Sequence, residues 1–62
     1  MYSYIKGIVT EQGLNYIVLE NNNIGYKINV ANPFSCVINN EYKIYLYNHV
    51  GEDEYSLYGF KT

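Results

Sequence analysis

The chain alternates apolar and polar side chains over short runs, and a two-residue period predicts β-strands. Tyrosine, isoleucine and valine are frequent in these runs, and all three favour the half-buried surface of a sheet. No stretch shows the 3.6-residue period of an amphipathic helix. The pattern predicts five strands, at residues 2–11, 16–20, 24–30, 42–47 and 55–60.

The alternation also predicts which side chains share a face of each strand. Ile5, Gly7 and Val9 lie together in the first strand, and Ile17 and Leu19 lie together in the second. The third and fourth strands repeat the pattern at Tyr26, Ile28, Val30, Tyr42, Ile44 and Leu46.

Glycine and asparagine mark the predicted bends and turns. Gly7 in mid-strand, and Gly25 near the start of the third strand, predict bulges or bends that curl a sheet into a barrel. The run 21–23 is all asparagine, which tolerates positive φ and suits a tight hairpin. Residues 12–15 form the other predicted turn.

A short helical element is predicted between the third and fourth strands. Asn32 is a candidate N-cap and Pro33 suits the first helical position. The stretch to Asn40 is too short and too rich in β-branched residues for more than one or two turns. Five strands with this helical turn predict an all-β, five-stranded Greek-key barrel, the OB-fold, with an SH3-like barrel as the rival.

Composition limits the function classes. The 62 residues make one domain, and the net charge of −2 disfavours a free-standing nucleic-acid binder. Cys36 is the single cysteine, so no internal disulfide forms, and a buried core position in a reducing cytoplasm is expected for it. No apolar run reaches membrane-spanning length, and no cofactor or metal site is predicted.

Three consecutive acids, Glu52, Asp53 and Glu54, follow Gly51 and predict an exposed hairpin tip, because none has a basic neighbour in sequence to pair with. A metal site or a catalytic carboxylate pair would need further ligands or a pocket, and neither is evident. His49 has no nucleophile arranged with it. A solvated loop is the simplest interpretation of these residues.

The nine tyrosines allow two interpretations. OB-folds stack bases on exposed aromatic rings beside a basic groove, which would make this a single-strand-binding domain. The four lysines are scattered in sequence, however, and core packing with burial in a subunit interface explains the tyrosines as well. A protein-interaction barrel with an acidic docking loop is a further alternative.

Five short motifs are spread in order across almost all 62 residues. They are Met1 followed by Tyr4-Ile5-Lys6-Gly7, Asn23-Ile24-Gly25-Tyr26, Asn32-Pro33-Phe34, Val50 followed by Glu52-Asp53, and Leu57-Tyr58-Gly59-Phe60. Each motif is weak alone, but in this order and spacing the five together resemble the N-terminal domain of the RuvA family, whose members bind Holliday junctions in bacteria.

The resemblance implies a non-catalytic module for recombination and repair. Family members form a homotetramer on which a four-way junction lies flat, and an ATPase of the RuvB type drives branch migration. Two adjacent acids per subunit act as a pin at the junction centre, which by position are Glu52 and Asp53. Glu54 is an additional acid, and Gly51 stands where many members have arginine.

The resemblance also implies that residues 1–62 are only the first domain of a longer protein. Family members continue into a helix-hairpin-helix domain, which binds DNA phosphates, and then into a small domain that contacts the motor. The expected location is the cytoplasm.

Overall fold

Five strands close into a barrel in the computed structural model, which describes residues 3–47 and 57–61. They are β1 (Tyr4–Gln12), β2 (Tyr16–Asn21), β3 (Ile24–Asn29), β4 (Glu41–Tyr47) and β5 (Leu57–Lys61). The order around the barrel is β1-β2-β3-β5-β4. β3 and β5 pair in parallel, and the other described pairs are antiparallel. This architecture confirms the predicted OB-fold.

Strand β1 closes the barrel because its two halves pair with different neighbours. Its first half, from Tyr4 to Ile8, pairs with β4, and its second half, from Ile8 onward, pairs with β2. The register shifts at Thr10, where one extra residue makes a bulge. The backbone N–H of Val9 donates to the carbonyl oxygen of Asn40 at 3.1 Å, and the carbonyl oxygen of Val9 accepts from the N–H of Asn39 at 2.8 Å, both in the β3–β4 connection. The bend therefore lies where β1 changes partner.

The prediction of bulges at Gly7 and Gly25 was wrong. Gly7 pairs regularly with Tyr42, and Gly25 pairs regularly with Glu20. Gly7 serves close packing: a Cβ atom there would lie 2.2 Å from the carbonyl oxygen of Glu20. Glycine is needed at this point of the barrel because the two backbones approach so closely.

Among the described residues, the core consists of seven buried side chains that come from β1 to β4 and from the β3–β4 connection. They confirm the faces predicted from the alternation, and Cys36 is buried among them as expected. Five half-buried side chains pack around this core: Ile5, Tyr26, Tyr42, Leu46 and Leu57. The seven buried residues are Val9, Ile17, Leu19, Ile28, Val30, Cys36 and Ile44.

Both predicted connections form, with one correction. Asn22 and Asn23 have φ values of 52° and 65°, so β2 and β3 join through the tight asparagine hairpin that the sequence predicted. Pro33–Ser35 forms one 3₁₀ turn with proline at its start. Asn32 precedes this turn, but its side chain makes no capping bond, contrary to prediction. Its backbone carbonyl instead accepts bonds from the backbone N–H and hydroxyl of Ser35.

Candidate nucleic-acid and subunit surfaces

The β4–β5 hairpin carries the acidic segment, which we define as residues 48–56. β4 and β5 are antiparallel, and Tyr47, the last described residue before the acidic segment, pairs with Tyr58, which follows the first described residue after it, Leu57. Glu52, Asp53 and Glu54, together with His49 and Gly51, lie outside the described residues. The structure thus describes the end of β4, which precedes the acidic segment, and the start of β5, which follows it.

Charge is divided unevenly between the barrel and the acidic segment. The described residues hold four lysines and three glutamates (Glu11, Glu20 and Glu41), a formal charge of +1. The whole chain has a net charge of −2, because Glu52, Asp53 and Glu54 add three negative charges. The acidic character of this protein therefore comes from one hairpin connection, and the barrel itself is slightly basic.

β5 begins at a narrow contact with β3. Within the described residues, two pairs form this parallel contact, Ile28 with Leu57 and Asn29 with Tyr58. The side-chain amide of Asn29 donates a hydrogen bond of 3.1 Å to the carbonyl oxygen of Leu57. Leu57 is half-buried against the core. The start of β5 is thus held to the barrel by backbone pairing, a side-chain bond and apolar packing.

An aromatic strip, defined as Tyr4, Tyr45, Tyr47, Tyr58 and Phe60, covers the outer face of β1, β4 and β5. Successive ring centroids lie 5.9 to 6.3 Å apart. Tyr4, Tyr47 and Phe60 are each about half exposed. The alternation placed Tyr45 and Tyr47 on the same face of β4, but only the strand register brings residues 4, 58 and 60 beside them. Rings of this kind are enriched in protein interfaces.

Two lysines flank the aromatic strip. Lys6 and Lys43 face each other across β1 and β4. The ammonium of Lys43 lies 4.3 Å from the ring centroid of Tyr4 and 5.2 Å from that of Tyr45, distances at which a cation is attracted to a ring. Lys6 makes an exposed ion pair of 3.9 Å with Glu41, which contributes little to stability. These two lysines, far apart in sequence, are adjacent on the barrel.

The outer face of β2 and β3, where OB-folds bind oligonucleotides, carries a single aromatic ring, that of Tyr16. Lys27 lies over this ring at 4.6 Å. The hydroxyl of Tyr16 donates a hydrogen bond of 3.1 Å to Glu11. This bond, the negative charge of Glu11 and slight burial raise the pKa of Tyr16 above 10.0. The exposed rings thus lie mainly away from the face that single-strand-binding OB-folds use.

Neither a metal centre nor a membrane span is found in the described part of the chain. Residues 3–47 and 57–61 contain no group of three or more histidine, cysteine or acidic side chains arranged to hold a metal ion. In the same residues, no helix is long and apolar enough to cross a bilayer.

Comparison with known proteins identifies the family. The model of the RuvA N-terminal domain matches residues 1–59. A relative from Phytoplasma mali, named Holliday junction branch migration complex subunit RuvA, is 52% identical over 60 residues, which cover 97% of this chain. A Streptococcus pneumoniae relative of the same name is 50% identical over 64 residues and covers the whole chain. The chain spans 32% of the length of each of these relatives. On this evidence the chain belongs to the RuvA N-terminal domain family.

Proposed function

We propose that this domain is the junction-facing, non-catalytic part of a Holliday junction branch migration subunit. The observation that carries the proposal is the acidic segment: three consecutive acids in the hairpin connection of a barrel that is otherwise slightly basic. Family membership supports the same conclusion, since relatives that are identical to this chain at about half of the aligned residues are named as such subunits. Glu52 and Asp53 act as the pin at the junction centre, and Glu54 adds charge beside them.

The pin works by repulsion. A carboxylate ~6 Å from a phosphate raises the energy by about 0.7 kcal/mol in bulk water, and by more where water is partly excluded. Several acids facing several phosphates therefore disfavour ordinary duplex at the centre and keep the exchanging strands apart. Recognition then follows the shape of the junction and not its sequence.

Affinity for DNA comes from other parts of the longer protein. Net repulsion at the pin requires attraction elsewhere, supplied by backbone amides and basic side chains that contact phosphates in a following helix-hairpin-helix domain. A third domain contacts the ATPase that drives migration. The complete subunit acts in the cytoplasm.

The same proposal includes assembly of four subunits. The aromatic strip supports it, because half-exposed tyrosine and phenylalanine rings on the outside of the sheet are typical of subunit interfaces. A barrel with seven buried core residues also gains stability when a further surface is covered. Packing through the strip brings the hairpins that carry the acidic segments toward one another, since Tyr47 and Tyr58 belong both to the strip and to the hairpin.

The test uses a chimera in which residues 1–62 replace the matching segment of the Streptococcus pneumoniae relative. Binding is measured at one salt concentration to a four-way junction, a linear duplex and a single strand of matched length. We expect the junction to be preferred, and Glu52→Gln with Asp53→Asn to change junction preference and the migration rate with the ATPase. Glu20→Gln with Glu41→Gln, which removes the same charge from the barrel, is the control.

Two results would contradict the proposal. Equal affinity for all three DNAs would favour a general nucleic-acid binder, and absence of DNA binding would favour a protein-docking barrel. An unchanged junction preference and migration rate in the Glu52/Asp53 variant would contradict the pin alone.

A further inference from the structure

Two positive charges meet on the outer face of the barrel, where Lys6 of β1 lies directly opposite Lys43 of β4. Both side chains are exposed, and the residues next to Lys6 and Lys43 in their strands point into the barrel. Like charges directly opposite each other on one face of a sheet repel and destabilise the strand pair. The barrel therefore carries at this position a pairing that disfavours its own folding, and a bound anion would remove that cost.

Neighbouring groups on the same face compensate this charge in part. Lys6 lies 3.9 Å from the carboxylate of Glu41, and this is the one ion pair found in the described part of the chain. Lys43 lies over the rings of Tyr4 and Tyr45, which attract the ammonium but carry no charge. Two ammonium groups thus share one carboxylate, which leaves a local formal charge of +1.

The other two lysines of the described barrel have different surroundings. Lys27 lies over the ring of Tyr16, whose hydroxyl donates to the carboxylate of Glu11, so a negative charge is close by. The ammonium of Lys61 donates a hydrogen bond of 2.7 Å to the carbonyl oxygen of Ser35. The excess of positive charge therefore lies at the pair formed by residues 6 and 43.

We propose that Lys6 and Lys43 bind the phosphate backbone of a DNA strand, an inference that rests on the proposed function. Lysine is a flexible point charge that binds phosphates without reading sequence. On the same face, the pair follows the Tyr4–Tyr45 pair of the aromatic strip. Because lysine is depleted from interface centres, assembly through the strip leaves the pair at its rim, open to DNA. The contact adds to the attraction that the rest of the longer protein supplies.

The test measures the affinity of the chimera for the four-way junction over a series of salt concentrations. Each phosphate contact contributes about 0.9 to the slope of log affinity against log salt concentration, because binding releases a counterion. We expect Lys6→Gln and Lys43→Gln each to make the slope less steep by about that amount. The double variant should bind at low salt about fivefold more weakly or worse. Lys6→Arg with Lys43→Arg keeps both charges and is expected to keep the slope.

Lys27→Gln is the matched control. Lys27 is also an exposed lysine over a tyrosine ring, at 4.6 Å compared with 4.3 Å for Lys43. The substitution removes the same charge from the chain, and we expect the slope to stay unchanged. Sedimentation velocity at the assay concentration verifies that each variant remains a tetramer. Thermal unfolding verifies the fold, and since Lys6→Gln and Lys43→Gln each remove repulsion, neither should unfold below the parent.

Three outcomes would overturn the inference. An unchanged slope in the Lys6 and Lys43 variants would exclude the pair from the DNA contact, and an equal change in Lys27→Gln would reduce the effect to net charge. Weaker binding that accompanies dissociation of the tetramer would assign the pair to the subunit interface. Each of these results leaves the junction preference of the parent chimera, and with it the proposed function, intact. Absence of that preference in the parent would contradict the proposed function itself, and the inference with it.

Discussion

At the scale of single residues, Tyr16 and Glu11 form the clearest polar contact on the β2–β3 side. The neutral phenol of Tyr16 donates a hydrogen bond of 3.1 Å to the carboxylate of Glu11. Ionisation of Tyr16 would remove this donor and place two negative charges together, so the pKa of Tyr16 is raised in the folded state. Because the pKa of Tyr16 is higher in the folded state, its contribution to stability is complete at pH values below 10.0, its pKa in the unfolded chain. This contribution is lost as the pH rises through the pKa of Tyr16 in the folded state.

This contact gives a prediction about alkaline stability. Glu11→Gln removes the carboxylate, and we expect the pKa of Tyr16 to move down toward 10.0. NMR titration of ring-labelled tyrosine measures that pKa directly. Above about pH 10, the unfolding midpoint should fall less steeply with increasing pH in the variant than in the parent chain. A Tyr16 titration unaffected by the substitution would contradict the assignment.

At the scale of the elements, β1 decides how the sheet closes. Its bulge at Thr10 and its glycine at residue 7 perform different tasks: the bulge allows the change of partner strand, and Gly7 allows close approach to β2. The sequence signals for these tasks differ in strength. A mid-strand glycine is visible in the sequence, whereas nothing in the residue type of Thr10 indicates an extra residue in the ladder.

The close approach at Gly7 gives the second prediction. Gly7→Ala places a Cβ atom 2.2 Å from the backbone oxygen of Glu20, so strands must move apart, and we expect a loss of about 1–3 kcal/mol in the free energy of unfolding. Gly25→Ala is the control, since its Cβ atom would meet only a methyl group of Val18 at 3.2 Å. Urea unfolding of both variants measures the difference, and equal losses would contradict this account.

At the scale of the whole molecule, the surface divides by chemistry. The aromatic strip covers β1, β4 and β5, the described part of the barrel is slightly basic, and the three consecutive acids belong to the segment that joins β4 to β5 in the sequence. The proposed function requires both a surface for assembly with copies of the chain and acids that repel DNA strands, and this division of the surface is consistent with that proposal. An even mixture of these residues could not serve both purposes.

Assembly through the strip gives the third prediction. Phe60→Gln removes a ring that contacts Tyr45 and Tyr47, and we expect tetramer dissociation in the chimera to increase by about fivefold or more, as is common for aromatic interface residues. Phe34→Gln is the matched control, because Phe34 is 66% exposed and lies outside the strip. Sedimentation velocity measures the tetramer dissociation of both variants. Equal dissociation of the two variants would contradict the strip as the interface.

The sequence by itself determined the elements and their faces. Alternation predicted five strands, and in the first four it grouped correctly the side chains that share a face, because one face of each strand must leave water. The asparagine run predicted its hairpin because positive φ is a local property of the backbone. The motifs also indicated the family, to which the chain belongs.

Only the tertiary structure decided what depends on register. The bulge at Thr10, the bond from Asn29 to Leu57, the adjacent Lys6 and Lys43, and the aromatic strip all join residues from different strands. A local pattern contains no information about which residue lies opposite another across a closed barrel. That pairing follows from how the whole chain buries its core, and it determines the surfaces on which the proposed function depends.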